Sequence, residues 1–361
     1  MIRRSSVLLL LTLSNIARAD LEEDPCACSP NKPGFFRRGT LLGYDDLRAD
    51  WKDDGFIPQA VYAGEVFAAP GLQKQFVVAG LFSLSVDVDL AKAVHDHLGS
   101  VHASVLAIHG DGLSAELADI YGVSGNVAPQ DVRVFEAWLE QPLGPVTVRA
   151  GLLSADQEYV LAKHSTALLN ATFGIISQLS TNLAGHPVYP YAVPGVSARY
   201  EGSDVTVRGA VFDGEQKGEH GIPDGIGPES LVIGQVELAR LVTVGAWHHS
   251  QHGNGYFAIL DHQLERYVAA FARVSYSPRQ LVSTYIDTGL RIGPGPFRDN
   301  DFIGVGVAYA QTSDPMLGSQ PLLEATYQAQ FGWLTIQPDA QLLMEHPRTT
   351  AIVATRVTVV F

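Results

Sequence analysis

Four clusters in the chain carry residue types that can do chemistry. His248-His249-Ser250-Gln251-His252 and His95-Asp96-His97 offer imidazoles suited to a transition metal. Asp156-Gln157-Glu158 sets two acids close together, the residue types of glycoside cleavage. Cys26 and Cys28, the only cysteines, form a C-x-C pair. Each has a plainer reading. The histidines of the first cluster fall where a strand should run into an exposed polar loop, and the second is read in the same way. Two acids two residues apart say nothing about the spatial separation that sugar hydrolysis requires. A lone C-x-C pair cannot staple distant segments, and it lacks metal-binding partners at ligand spacing. No G-x-S-x-G, phosphate-binding loop or H-E-x-x-H motif is present. The chain is therefore read as a non-enzyme, and no cofactor or metal is expected.

A second set of polar residues is spaced for a different task. Glu136, Glu140, Arg149, Arg199, Arg208, Glu237, Arg273, Arg291 and Glu324 each sit in a segment where polar and apolar residues alternate. Arginine presents five fixed donors and keeps its charge. Paired with carboxylates, it makes a hydrated lattice with little net pull on ions, and weak enough in its contacts to release what it binds.

Those residues need strands to position them. In Val205–Val211, Thr206 and Arg208 share one face and Val205, Val207 and Val211 the other. In Val282–Ile292, Ser283, Asp287 and Arg291 oppose Val282, Ile286, Leu290 and Ile292. Glu324, Thr326, Gln328 and Gln330 oppose Ala325, Tyr327, Ala329 and Phe331. A period of two over about ten residues is the pattern of a membrane-spanning strand. The segments 56–67, 75–89, 99–109, 130–142, 145–153, 194–201, 203–213, 229–239, 241–250, 255–262, 264–277, 280–293, 301–312, 319–331, 333–344 and 349–361 make 16 strands, with 110–129 and 255–267 ambiguous. The predicted fold is all-β: a transmembrane antiparallel barrel over 56–361, wide enough to keep an aqueous lumen. Short turns alternate with long loops. The longest, 154–193, holds Asn170, Phe173, Gln178, Tyr189 and Tyr191, suits packing better than disorder, and is predicted to fold inward as a constriction.

The ends and the charge agree. Arg3 and Arg4, the apolar Val7–Leu13 and Ala17-Arg18-Ala19 form a secretory signal over 1–19, with cleavage expected before Asp20. No later apolar run reaches the about 20 residues a transmembrane helix needs. Lys and Arg number 24 against 38 Asp and Glu, and losing Arg3, Arg4 and Arg18 moves the balance from −14 to −17. That acidity excludes a nucleic-acid partner, which would need a basic face. Thr40–Asp54 has helical character, with Leu41, Leu42, Leu47 and Trp51 roughly on one side, and Gly55 closes it. Thr355, Val357, Val359 and Phe361 share a face of the last strand, and such a terminal aromatic resembles the signal read by the outer-membrane barrel assembly machinery.

Short blocks in order along nearly the whole mature chain resemble the carbohydrate-selective porins of Gram-negative outer membranes. They are Leu41-Leu42-Gly43, Leu47-Arg48 and Asp54-Gly55-Phe56, then Glu136–Gln141 with Val148–Leu152. Leu169–Gly174 and Tyr189–Gly195 flank the long loop, and Asp301–Gly306, Glu324–Tyr327 and Ile336–Gln341 follow. The resemblance implies passive diffusion of monosaccharides and small oligosaccharides into the periplasm. It also implies a periplasmic segment with a short helix over 20–55, lipid around the barrel, and a monomer or homotrimer. The residues expected to line the pore are Glu136, Glu140, Arg149, Asn170, Phe173, Arg199, Arg208, Arg273, Arg291 and Glu324. Lys163-His164 departs from the family's smaller or acidic residues, which bears on sugar preference. A general porin and a plugged barrel for adhesion or structure are the alternatives.

Overall fold

The computed structural model describes residues 39–95, 97–117, 119–183, 187–293, 298, 300–345 and 348–361. The signal segment, Cys26, Cys28 and Asp96 lie outside them. Sixteen strands form the wall: β1 Phe56–Ala68, β2 Phe76–Asp89, β3 Ser100–Gly110, β4 Asp131–Leu143, β5 Val146–Leu153, β6 Val193–Glu201, β7 Val205–Asp213 and β8 Ser230–Leu238, continuing with β9 Val242–His249, β10 Gly253–Glu265, β11 Val268–Tyr276, β12 Val282–Ile292, β13 Phe302–Thr312, β14 Ser319–Phe331, β15 Leu334–Glu345 and β16 Arg348–Val360. Each pairs with its sequence neighbour, and β1 closes on β16. The closing seam is antiparallel from Val61 opposite Val360 to Ala68 opposite Val353. Closure leaves no edge strand, the condition for placing a sheet in hydrocarbon.

The predicted alternation sets the two faces. Val205, Val207 and Val211 point outward with 38%, 41% and 53% of their surface exposed, as does Val357, while Arg208 and Arg356 point inward. Two details differ from the sequence reading. The register shifts between Val282 and Thr284, and this irregularity turns Val282 inward, where it is fully buried, instead of onto the outer face with Ile286 and Leu290. The turn placed near 263 lies at 266–267, because β10 continues through a second irregularity between Gln263 and Glu265.

Phe56 and Phe361 mark one rim of the barrel, here the near rim, and the Phe361 amide donates to the Ala60 carbonyl. Helix α1, Asp45–Asp53, sits there, shorter than the predicted 40–54. Turns at the near rim are mostly short, although that between β2 and β3 carries α2, Leu90–Ala93. The far rim carries the long connections. One, 111–130, contains α3, Ser114–Leu117, which settles the ambiguous 110–129 segment as a loop. Another, 154–192, contains 3-10 turns at Ala155–Gln157 and Ser165–Ala167, then α4, Ala171–Gly174, and α5, Ser177–Asn182.

Both of these loops fold into the barrel. Tyr159, Leu169, Phe173, Ile176, Leu179 and Leu183 of the second are almost wholly buried, in one apolar cluster with inward Phe212, Trp247, Phe257, Phe271 and Tyr285. Burying such a side chain stabilises by about 1.5–3 kcal/mol relative to exposure. The backbone of the wall yields to the loop at Gly306, where a Cβ would stand 2.4 Å from Leu168 and 2.9 Å from Phe173. The two loops also hydrogen-bond to each other, Gly125 to the Leu169 carbonyl and Ala171 to that of Gly122.

Candidate functional site: the constriction

Inside the barrel the long loop has no strand to pair with, so inward side chains of the wall must meet its backbone groups. Arg273 of β11 carries a large share of this load. Its Nη1 donates to the carbonyls of Val160 and Gly174 at 3.4 and 3.2 Å, and Nη2 to those of Thr172 and Phe173 at 2.9 and 3.0 Å. Its Nε donates to both oxygens of Asp287 on β12 at 3.1 and 3.0 Å, and Tyr285 donates to the same carboxylate at 2.7 Å. Arg273 is only 2% exposed.

Glu324 does the complementary work. Its carboxylate accepts the amides of Leu169 and Asn170. The Asn170 side chain then accepts from Thr172 N and donates to Gln341 of β15, which itself donates to Val123 of the first loop. Glu136 of β4 accepts the Ser154 amide at 2.9 Å, where the chain leaves β5. Asp261 of β10 accepts the His164 amide at 2.9 Å and also bonds the His164 ring. The first loop is held by Glu65, which accepts from Ser124, Asn126 and Arg356.

Two loop acids feel this burial. Asp156 sits above the usual carboxylate range because it is desolvated, against the opposing pull of hydrogen bonds from Ser154 and the Tyr189 amide. Asp119 is raised for the same reason, although the amides of Tyr121 and Gly122 donate to it. Asp156 and Glu158 thus point to different neighbours: Asp156 is tied to the loop itself and Glu158 to the wall.

An ionic column runs down the wall from β4 to β8. Arg149 donates to Glu140 at 3.1 and 2.7 Å and pairs with Glu158 of the long loop at 2.8 Å. Ser197 donates to the other Glu158 oxygen at 2.7 Å. Arg199 lies 4.0 Å from Glu140 and 3.0 Å from Glu201, and Arg208 lies 3.5 Å from Glu237. The sheet register sets this geometry, placing Glu140 opposite Arg149, Arg149 opposite Ser197 and Arg199 opposite Arg208. Arg149 is nearly buried, its guanidinium 3.9 Å from the centre of the Trp138 ring. Trp138 in turn stacks on His102, whose Nδ1 is 2.7 Å from Asp87. Arg199, Arg208 and Glu237 keep 17%, 15% and 26% of their side chains exposed to the lumen. Three arginines against Glu140, Glu158, Glu201 and Glu237 leave a formal charge of −1 across the column.

Of the ten residues expected to line the pore, the structure therefore makes three groups. Glu140, Arg149, Arg199 and Arg208 form the column. Glu136, Asn170, Phe173, Arg273 and Glu324 meet one another through the loop and are buried against it. Arg291 belongs to neither of these, and its guanidinium lies 4.6 Å from the Phe302 ring centre. Sequence reasoning missed Arg133, which lies over the Tyr191 ring at 4.5 Å. The register of β3 on β4 shifts between Ala103 and Val105, so Arg133, Phe135 and Glu136 all turn inward and strict alternation fails there. It missed the Asp87–His102–Trp138 stack because no charge alternation marks it.

The metal-like cluster resolves into a folding device. Glu229, His249 and His252 have ligand atoms within 4.8 Å of one another. Yet His249 Nδ1 accepts the amides of Gln251 and His252, and its Nε2 bonds the Gly214 carbonyl. An imidazole in that tautomer has no lone pair left for an ion.

The high-pH structure of Pseudomonas putida OprB superposes with a TM-score of 0.80 at 15% identity, covering 91% of this chain and all of that one. The low-pH structure of the same protein gives 0.63 at 14% identity, covering 90% of this chain and 99% of that one. A triple mutant of the Rhodopseudomonas blastica porin gives 0.53 at 10% identity, covering 85% and 100%. Comparison of the sequence with curated proteins gives no match. The model of the carbohydrate-selective porin, OprB family, matches residues 73–230 and 247–361, well over half of the chain. The chain thus belongs to the carbohydrate-selective porin, OprB family, and is an outer-membrane porin for the passive diffusion of carbohydrates.

Proposed function

We propose that monosaccharides and small oligosaccharides cross this barrel along the ionic column, with Arg199, Arg208 and Glu237 as the groups that touch solute. The observation that carries this reading is the pairing of every column charge at near-zero net charge while these three keep exposed surface. A neutral polyol can exchange water for donors and acceptors there, and an ion gains little. Arg149, Glu140 and Glu158 hold the column against the loop, while Glu136, Asn170, Phe173, Arg273 and Glu324 hold the loop itself and do not bind sugar. The far rim, with its long loops, faces the outside, and the near rim with its short turns faces the periplasm. Export follows cleavage before Asp20.

Liposome swelling with the purified protein tests this. Glucose and short oligosaccharides should enter faster than amino acids of similar size, and Arg208→Ala with Glu237→Ala should erase the difference while keeping a folded barrel. Equal entry of all solutes through the unaltered protein would reduce the reading to a general porin. No entry at all would leave a plugged barrel.

A further inference from the structure

Helix α1 packs the wrong way round for a soluble segment. Its half-buried residues are Asp45 and Arg48, so a charged side faces the protein. Tyr44, Leu47 and Trp51, spaced at three and four residues and so on one stripe, are 51%, 41% and 39% exposed, and no residue of the helix is buried. Leu42 just before it is 54% exposed. The helix is nonetheless fixed in place. Leu41 N donates to the Val360 carbonyl, the Lys92 ammonium to that of Lys52, and Asp89 N to that of Gly55. Gly55, at φ 91°, has no room for a Cβ, which would lie 2.7 Å from the Asp89 carbonyl.

The helix leads through Gly55 directly into the lipid-facing belt at β1. Phe56, the first residue of β1, is 46% exposed on the outer face, and Val94 and Leu98 of the neighbouring turn are 69% and 42% exposed. Tyr and Trp at such a height are the residues of the aromatic girdles that flank a membrane's apolar zone. A helix tied at several points, with an apolar stripe left exposed and its chain running straight into a hydrocarbon-facing wall, matches an interfacial helix lying in the headgroup plane.

We propose that α1 is a membrane foot, seating Tyr44, Leu47 and Trp51 in the headgroup–acyl boundary of the phospholipid leaflet at the near rim. Asp46, Asp50 and Asp53 outnumber its cations on the exposed surface, so the leaflet it suits is zwitterionic. The foot would fix how deep the barrel sits at that rim, independently of what passes through the lumen.

Fluorescence separates the possibilities, because Trp51 is the one exposed indole among four: Trp138, Trp247 and Trp333 are 5%, 2% and 8% exposed. The full chain and Trp51→Phe would be reconstituted in phosphatidylcholine vesicles, with folding of both checked by their heat-modifiable mobility. The difference emission belongs to Trp51. With lipid brominated near the top of the acyl chains, most of that emission should be lost, and it should be blue-shifted and largely protected from aqueous iodide. Emission untouched by brominated lipid would overturn the proposal: iodide quenching would put the stripe in water, and protection from both would put it under another protein segment or a second copy.

Discussion

Replacing Arg273 with Met removes the central anchor of the long loop without altering any backbone pairing of the wall. Four loop carbonyls lose the Arg273 donor, although the Thr172 carbonyl keeps Tyr285 and that of Phe173 keeps Ser165, and Asp287 is left with the Tyr285 hydroxyl in place of the guanidinium. Removing one member of a buried ion pair costs about 3–5 kcal/mol, mostly because the remaining charge stays desolvated. At 1.4 kcal/mol per factor of ten, the docked-to-released ratio of the loop falls by roughly two to four powers of ten. The strand ladder still closes the barrel, so heat-modifiable mobility in gels should persist. In planar bilayers the variant should show larger, noisier conductance steps, and in liposomes it should admit oligosaccharides that the parent excludes. The double change Arg273→Met with Asp287→Leu removes the orphaned charge and should recover a good part of the parent's quiet conductance. A folded Arg273→Met barrel with unchanged conductance, noise and size limit would refute the view of Arg273 as the loop's anchor.

Other perturbations probe neighbouring parts of the same design. Gly306→Val leaves every charge in place but puts side-chain atoms where Leu168 and Phe173 lie, at an overpacking cost of about 1–3 kcal/mol, so it should also loosen the loop, read as a raised oligosaccharide size limit. Arg208→Ala leaves Glu237 without its arginine, taking the column from −1 to −2, and should shift the reversal potential in a salt gradient toward cation preference. Trp138→Ala should cost about 3–5 kcal/mol of stability by thermal unfolding and free the Arg149 guanidinium from its stacked position. Asp156 is raised by burial, so docking favours its neutral form: its contribution is full below the unfolded value near 3.9 and is lost as pH rises through the raised value. Asp156→Asn should therefore flatten the pH dependence of conductance noise across the acidic range, and an unchanged profile would exclude Asp156 as its source.

The barrel was legible because one physical rule, a period of two facing oil on one side and water on the other, repeats down the chain. Sequence-based strand ends agree with the structure to within a few residues at β1, β7 and β13, where nothing interrupts that rule. It broke at Val282 and around Glu136, where register shifts put neighbours on the same face. Such irregularities depend on a partner strand, and a single strand's sequence does not carry them. The inward loop was legible from its length and aromatic content, yet its companion 111–130 was not, since Leu113, Tyr121 and Val123 have no periodicity and are buried only by the other loop and the wall.

The same limit explains why pore-lining residues could not be sorted in advance. A barrel wall has used its own backbone groups in the ladder, so a long segment pushed into the lumen must find its partners among inward side chains. Glu324 offers a carboxylate to two amides, Arg273 offers donors to four carbonyls, and Gln337 donates to Ala167. These are the residue types, on the face, that a solute site would also require. What separates the two roles is the identity of the partner: a side chain whose donors or acceptors meet loop backbone is a receptor for the chain itself, while Arg199 meets Glu140 and Glu201, and Arg208 meets Glu237, all side chains of the wall. Selectivity in this barrel thus rests on a division of labour among like residues, and changes in the first class should alter pore size while changes in the second alter which solutes prefer it.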